Sequence, residues 1–239
     1  MYKRVIIKLS GEALAGDQKQ KRFDDDIILG IISQIKELVN KGVQIAVVVG
    51  GGNFWRGRDN KKLMDKVRSD QIGMMATVMN AVYLTDMLEK EGIESVVMTP
   101  VIIGTVTQQF SKKAALRSMA DKNVVIFAAG TGHPFFSTDT IAAIRAAELE
   151  ADALLFAKNV DGVYDSDPRQ NHKAVKLRSI TYRDIIKSNL TVIDTAASVI
   201  CEEQKLESII FALNEPNAIL KCASGDDAEI YKIGTKVTV

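Results

Sequence analysis

Residues 47–57 read Val47-Val48-Val49-Gly50-Gly51-Gly52-Asn53-Phe54-Trp55-Arg56-Gly57. A valine run stops at three glycines, then passes into an aromatic pair and an arginine. A continuous apolar run of this kind fits a strand buried on both faces. Glycines at its carboxyl end let the chain turn sharply and let backbone N–H groups approach an anion; a tight turn without a ligand is the plain alternative. Arg56 adds a guanidinium, which pairs bidentately with phosphate. The dinucleotide fingerprint G-x-G-x-x-G fails here, because Trp55 stands where its third glycine belongs.

Outward from this stretch, apolar strand-like runs alternate with helical periods. Strands are expected at 4–9, 43–49, 94–99, 124–128, 153–157, 208–213 and near 236–239. Helices are expected at 24–41, 69–90, 111–121, 138–150, 182–188, 195–206 and 217–223. In 24–41, Ile28, Ile31, Ile32, Ile35, Leu38 and Val39 fall on one face of a 3.6-residue period. Repeated β–α alternation predicts an α/β protein with a mainly parallel sheet covered on both faces. Ligands in such sheets sit beyond the carboxyl ends of the strands. Four strand ends are unusual: KLSGEAL, VVVGGGNFWRG, FAAGTGHPFFSTD and FAKNVDGVYDSDP.

The chain of 239 residues carries a formal net charge of +1, which offers no general attraction for polyanions, and no basic block tracks nucleic acid. Cys201 and Cys222 have no metal-type spacing and read as small buried hydrophobes. The apolar stretch in MYKRVIIKLS is too short for a signal peptide, and no run approaches the ~18–20 apolar residues of a membrane span. A cytoplasmic protein is the expectation.

Lys8 at the tip of the first strand reads either as a solvated edge lysine or as a phosphate ligand beside glycine N–H groups. Gly11 and Gly16 have P-loop spacing, but Asp17-Gln18 stands where Lys-Ser/Thr is required, so this is no Walker A motif. Segment 129–139 leads into a helix capped by Ser137 or Thr138, and helix N-termini attract anions. Asp139 there is either a dipole partner or a functional carboxylate. Asp161-Gly162 marks a turn; Tyr164 could stack on a base and Asp167 could take sugar hydroxyls.

Together, KLSGEAL, GGGNFWRG, the 70–80 stretch DQIGMMATVMN, AGTGHPFFSTD and KNVDGVYDSDP resemble the amino acid kinase family, and within it the branch that phosphorylates UMP. The resemblance covers essentially the whole chain. It implies one domain over 1–239, a three-layer α/β/α sandwich with a central, mainly parallel sheet. It places the nucleoside monophosphate site in about 1–150 and the ATP site in about 151–239. The implied reaction moves the γ-phosphoryl group of ATP to UMP in pyrimidine nucleotide biosynthesis. Lys8, Leu9, Ser10, Gly11, Gly52 and Arg56 would meet the ATP phosphates, and Lys158, Asn159, Tyr164 and Asp167 the adenine and ribose. Gly51, Asp70, Thr131, Gly132, His133, Pro134, Phe135, Phe136, Ser137 and Thr138 would hold UMP. Lys8, Arg56, Asp139 and Asp194 match catalytic positions, with Asp194 orienting Lys8. Mg²⁺ would arrive with ATP, and no residue is nominated as a metal ligand. UTP is the implied inhibitor and a homohexamer the implied assembly. The alternatives are a carbamate- or acetylglutamate-type enzyme of the family, or a non-catalytic nucleotide- or anion-binding protein of the same fold.

Overall fold

The structure is a computed structural model and describes residues 1–16, 22–57, 64–166 and 171–239. Asp167 therefore lies outside the described residues. The chain runs β1 (Arg4–Leu9), α1 (Gly11–Ala15), α2 (Asp25–Asn40), β2 (Gln44–Val49), α3 (Lys66–Lys90), β3 (Ser95–Thr99), β4 (Gln108–Gln109), α4 (Lys112–Ala120), β5 (Val124–Phe127) and α5 (Thr138–Glu148). It continues through β6 (Ala153–Lys158), β7 (Ser179–Thr181), α6 (Tyr182–Lys187), α7 (Thr195–Glu203), β8 (Ser208–Ala212), α8 (Ala218–Ala223), α9 (Asp227–Ile233) and β9 (Gly234–Thr238).

The described strands form one sheet of nine, in the order β4-β3-β5-β2-β1-β6-β8-β9-β7. Neighbours run parallel except β8 and β9. The expected mainly parallel α/β sheet is what forms. Side chains alternate across it with the two-residue period of a strand. Val5, Ile7 and Leu9 join a core with α2, α3 and α8. Ile6, Ala46 and Val48 face the other way, into a core with α4, α5, α6 and α7. Two cores on two faces make the three layers. They also explain why the central strands read as unbroken apolar runs.

Four elements were not expected from the sequence: α1, β4, β7 and α9. All are short, and β4 is two exposed glutamines; none exceeds seven residues, too few for a repeated apolar face to stand out. The long helix begins three residues earlier than its apolar pattern because Asp65 caps it, accepting from Arg68 N. Central β1 lies in parallel register between β2 and β6, with Leu9 opposite both Val49 and Ala157. The carboxyl ends that carry KLSG, GGG and KN are thus neighbours. The crossovers diverge here, β1 leading toward β2 while β6 leads toward β8, which is the crevice expected of such sheets.

Candidate active site

Lys8 and Lys158 project from the ends of β1 and β6 onto one carboxylate. Lys8 Nζ lies 2.8 Å from Asp139 Oδ1, and Lys158 Nζ lies 2.6 Å from Asp139 Oδ2. Asp139 is the second residue of α5, whose N-cap is Ser137. Lys8 and Asp139 are each 7% exposed, which rules out a solvated edge lysine. Burial alone would raise the Asp139 carboxyl, but the two ammonium groups outweigh it and hold it below the usual carboxylate range. Burial pushes the Lys158 ammonium down, and Asp139 offsets part of that. One anion between two cations leaves a positive charge at the strand ends, where it is poorly screened by water. Lys158, expected among base and ribose contacts, stands beside Lys8 on the Asp139 carboxylate.

The glycine turn lies beside the same strand end. Gly50 N donates to Leu9 O at 2.9 Å, and Gly51 O accepts from Phe54 N and Trp55 N at 3.0 and 2.9 Å. The N–H groups of Gly51 and Gly52 meet no protein acceptor among the described residues. Gly11 follows β1 directly and touches this turn: a Cβ there would stand 2.7 Å from Gly50 O and from Gly52 N. Leu9 is buried beneath, and Ser10 is the N-cap of α1. Arg56 is exposed, with Nε 3.0 Å from Glu12 Oε1 and 3.4 Å from Gly52 O. Glu12 was not singled out from sequence; an acidic residue after a lysine-glycine strand end is the signal that was there to read.

On the other side of the turn, a cavity of about 310 Å³ is lined by Gly51, Gly52, Asp70, His133, Phe136, Ser137 and Thr138, all nominated from sequence. Trp55, Met74 and Thr77 also line it and were not nominated. Asp70 accepts from Lys66 and, at 2.9 Å, from Phe135 N, so α3 holds the 129–138 loop. Burial raises its carboxyl, while Lys66 and the Phe135 N–H pull it net below the usual range. Thr77 Oγ1 accepts from Ala129 N at 2.7 Å. That contact pins a loop with positive φ at Ala129, Gly130, Gly132 and Phe135. Thr131 Oγ1 folds onto the His133 backbone at 3.2 Å. Gly132 packs on Pro100, Pro134 is half-buried, and Phe135 is exposed.

Asp194 is not against Lys8. It accepts from Ser137 Oγ and from Thr140 Oγ1 at 3.0 Å, and it caps α7 through Ala197 N at 2.8 Å. The carboxylate that orients Lys8 is Asp139. A second cavity, of about 500 Å³, opens between Asp139, Asp194 and the 185–195 segment. Further out, Asn159 is exposed. Tyr164 donates to Asp161 Oδ1 at 2.9 Å, and Asp161 also pairs with Lys176 at 3.1 Å. Among the described residues no cluster of three His, Cys, Asp or Glu side chains could hold a metal. No helix among them is long and apolar enough to cross a membrane.

A buried cation pair, a glycine turn with two N–H groups that meet no acceptor among the described residues and an adjoining cavity lie at the carboxyl ends of a parallel sheet, an arrangement whose chemistry suits phosphate. The amino acid kinase family model matches residues 3–212, and the chain belongs to that family. Among solved structures it is similar to UMP kinase from Bacillus anthracis, at 34% identity and a TM-score of 0.92, with 99% of this chain and 96% of that one covered. It is equally similar to UMP kinase from Ureaplasma parvum, at 34% identity and a TM-score of 0.90 over 100% of both chains. Uridylate kinase from Archaeoglobus fulgidus is similar at 25% identity and a TM-score of 0.73, with 98% of this chain and 99% of that one covered.

Proposed function

We infer that this protein is a nucleoside monophosphate kinase that transfers the γ-phosphoryl group of ATP to UMP, giving ADP and UDP. The observation that carries the reading is the Lys8–Asp139–Lys158 cluster set beside the Gly51 and Gly52 N–H groups. The acceptor is a phosphate whose second pKa is near ~6, so it is mostly deprotonated at neutral pH and needs no general base. What remains is to position two polyanions and neutralise the charge between them. Lys8 and Lys158 supply cations, the glycine turn supplies N–H donors, and Arg56 anchors phosphate from the rim. Asp139, held low by two lysines, is a poor proton acceptor and serves to fix them.

Leu9, Ser10, Gly11 and Gly52 would line the ATP phosphate path, with Asn159, Tyr164 and Asp167 toward the adenosine. UMP would occupy the 310 Å³ cavity, its ribose on Asp70 and its base along Thr131–Thr138. Mg²⁺ enters as part of the ATP complex, since Asp139 is occupied by its lysines. UTP shares the uracil and ribose, which supports its inhibiting by occupying the UMP cavity.

The exposed face of α3 supports self-assembly. Arg68, Ile72, Met75, Met79, Val82 and Asp86 are all exposed and alternate at four and three residues, a seam for a second helix. Two copies packed antiparallel about position 77 would set Ile72 on Val82, Met75 on Met79 and Arg68 on Asp86. Three such dimers would make the hexamer. Light scattering should show Arg68→Glu weakening the assembly and Arg68→Glu with Asp86→Arg restoring it.

The function is tested by a coupled assay with ATP against UMP, CMP, carbamate and acetylglutamate. UMP should turn over at least ~10-fold faster than CMP, since a hydrogen-bonding pocket penalises a mismatched edge. Equal turnover of CMP, or turnover of either non-nucleotide, overturns the reading.

A further inference from the structure

Asn80 is a fully buried amide in the middle of α3, and Asn53 is 7% exposed just past the glycine turn. The two side chains bond each other in both directions: Asn53 Nδ2 donates to Asn80 Oδ1 at 2.9 Å, and Asn80 Nδ2 donates to Asn53 Oδ1 at 2.8 Å. Asn80 Nδ2 also donates to Gly50 O at 2.6 Å. The second face of the pair is tied to the segment before α2, with Asn53 Nδ2 donating to Arg22 O at 2.8 Å and Arg22 donating to Asn53 O at 2.5 Å.

The Gly50 carbonyl and the Gly51 N–H belong to one peptide plane. In a trans peptide they point in opposite directions. Glycines impose little barrier to rotating that plane, because no Cβ resists it. With Asn80 drawing the carbonyl toward α3, the Gly51 N–H is turned away from the Asn80 side chain. Rotated the other way, the same peptide would face the phosphates with a carbonyl oxygen, a repulsive group in place of a donor.

We propose that Asn80, held by Asn53, is a positioning residue for phosphoryl transfer: it sets the Gly50–Gly51 peptide so that its N–H faces the transferring group. The proposal rests on the phosphoryl-transfer reading above and adds to it a residue that touches neither substrate. Preorganised backbone donors act mainly where charge develops in the transition state, so the effect falls on kcat.

The test is Asn80→Asp, which keeps the shape and, ionised in an assay run at pH 8.5, presents only acceptors to Gly50 O. kcat for ATP and UMP should fall by about 10²-fold, the range for loss of one such donor, with KM for UMP within about threefold. Thermal melting is followed alongside. Should Asn80→Asp fail to fold, Asn53→Ala serves, since it removes the holder and leaves the donor; kcat should then fall about 3–10-fold, a part of the full effect. A folded variant with kcat within about twofold of wild type overturns the proposal, as does a rise in KM with kcat unchanged. Wild-type turnover of UMP in the same assay tests the underlying reading by itself. The variant-to-wild-type ratio is taken on whichever acceptor the wild type uses.

Discussion

Asp139 and Asp194 meet the same end of α5 and have opposite surroundings. Asp139 faces two ammonium groups that project from strand ends toward the substrate crevice. Asp194 spends its oxygens on Ser137, Thr140 and the α7 N-cap, donors that belong to the fold. Residue type and position beside a helix end do not separate the two. Their hydrogen-bond partners do: two buried ammonium groups in one case, neutral groups of the fold in the other.

The largest effect expected along this contrast comes from removing a cation that Asp139 holds. Lys8→Ala should lower kcat by at least ~10²-fold while UMP affinity by calorimetry changes little, because a charge on the transferring group acts mostly in the transition state. A tenfold loss of UMP affinity with unchanged kcat would move Lys8 to the wrong side of the comparison.

Next comes Asp139→Asn, which preserves shape and removes charge. By rapid quench between pH 5.5 and 8.5 the chemical step should keep about a tenth of its rate, and its rise near pH ~6 should stay in place, since it reports the UMP phosphate. At the alkaline end the variant should lose rate at lower pH than wild type. Lys158 is already depressed by burial and loses the partner that supports its charge. A collapse by ~10³-fold or more with UMP still bound would restore Asp139 as a base.

Asp194→Ala should instead cost stability, by about 1–3 kcal/mol for a lost cap and two orphaned hydroxyls, read by urea unfolding. Its kcat per folded molecule should move less than that of Asp139→Asn. The reverse ranking would erase the distinction between the two carboxylates.

The smallest signal is in acid. Asp139 is held below the unfolded carboxylate value of ~3.9, so its contribution to stability is full above that pH and is lost progressively as pH falls from there through its lower folded value. The stability gap between wild type and Asp139→Asn should therefore narrow between pH 6 and 3. A gap that widens would contradict the ion-pair assignment.

The fold was legible where burial dictates composition. RVIIKL in β1 and the glycine-stopped valines of β2 are buried on both faces and read as little else. Short or polar pieces such as α1 and β4 carry no period, and the antiparallel turn of β9 is set by where it docks. At the site, the residues nominated at the ends of β1, β2 and β6 lie on neighbouring strands. Pairings did not follow, because whether Asp139 or Asp194 meets Lys8 depends on the register of α5 against β1 and β6, which is tertiary. Asn80 had a signal that went unused: an amide on an apolar helix face must find buried partners.

The close approach of Gly11 to Gly50 and Gly52 has a consequence for redesign. A Cβ at position 11 would stand 2.7 Å from Gly50 O and Gly52 N and 2.8 Å from the Asn53 amide oxygen, so the 9–11 segment meets the glycine turn with no room for a side chain of its own. In a saturation library, position 11 should tolerate one letter, because any larger residue widens the gap that phosphoryl transfer must cross. Changes of acceptor preference have to be sought instead among the loop side chains at 131–136, which can vary while that spacing stays fixed.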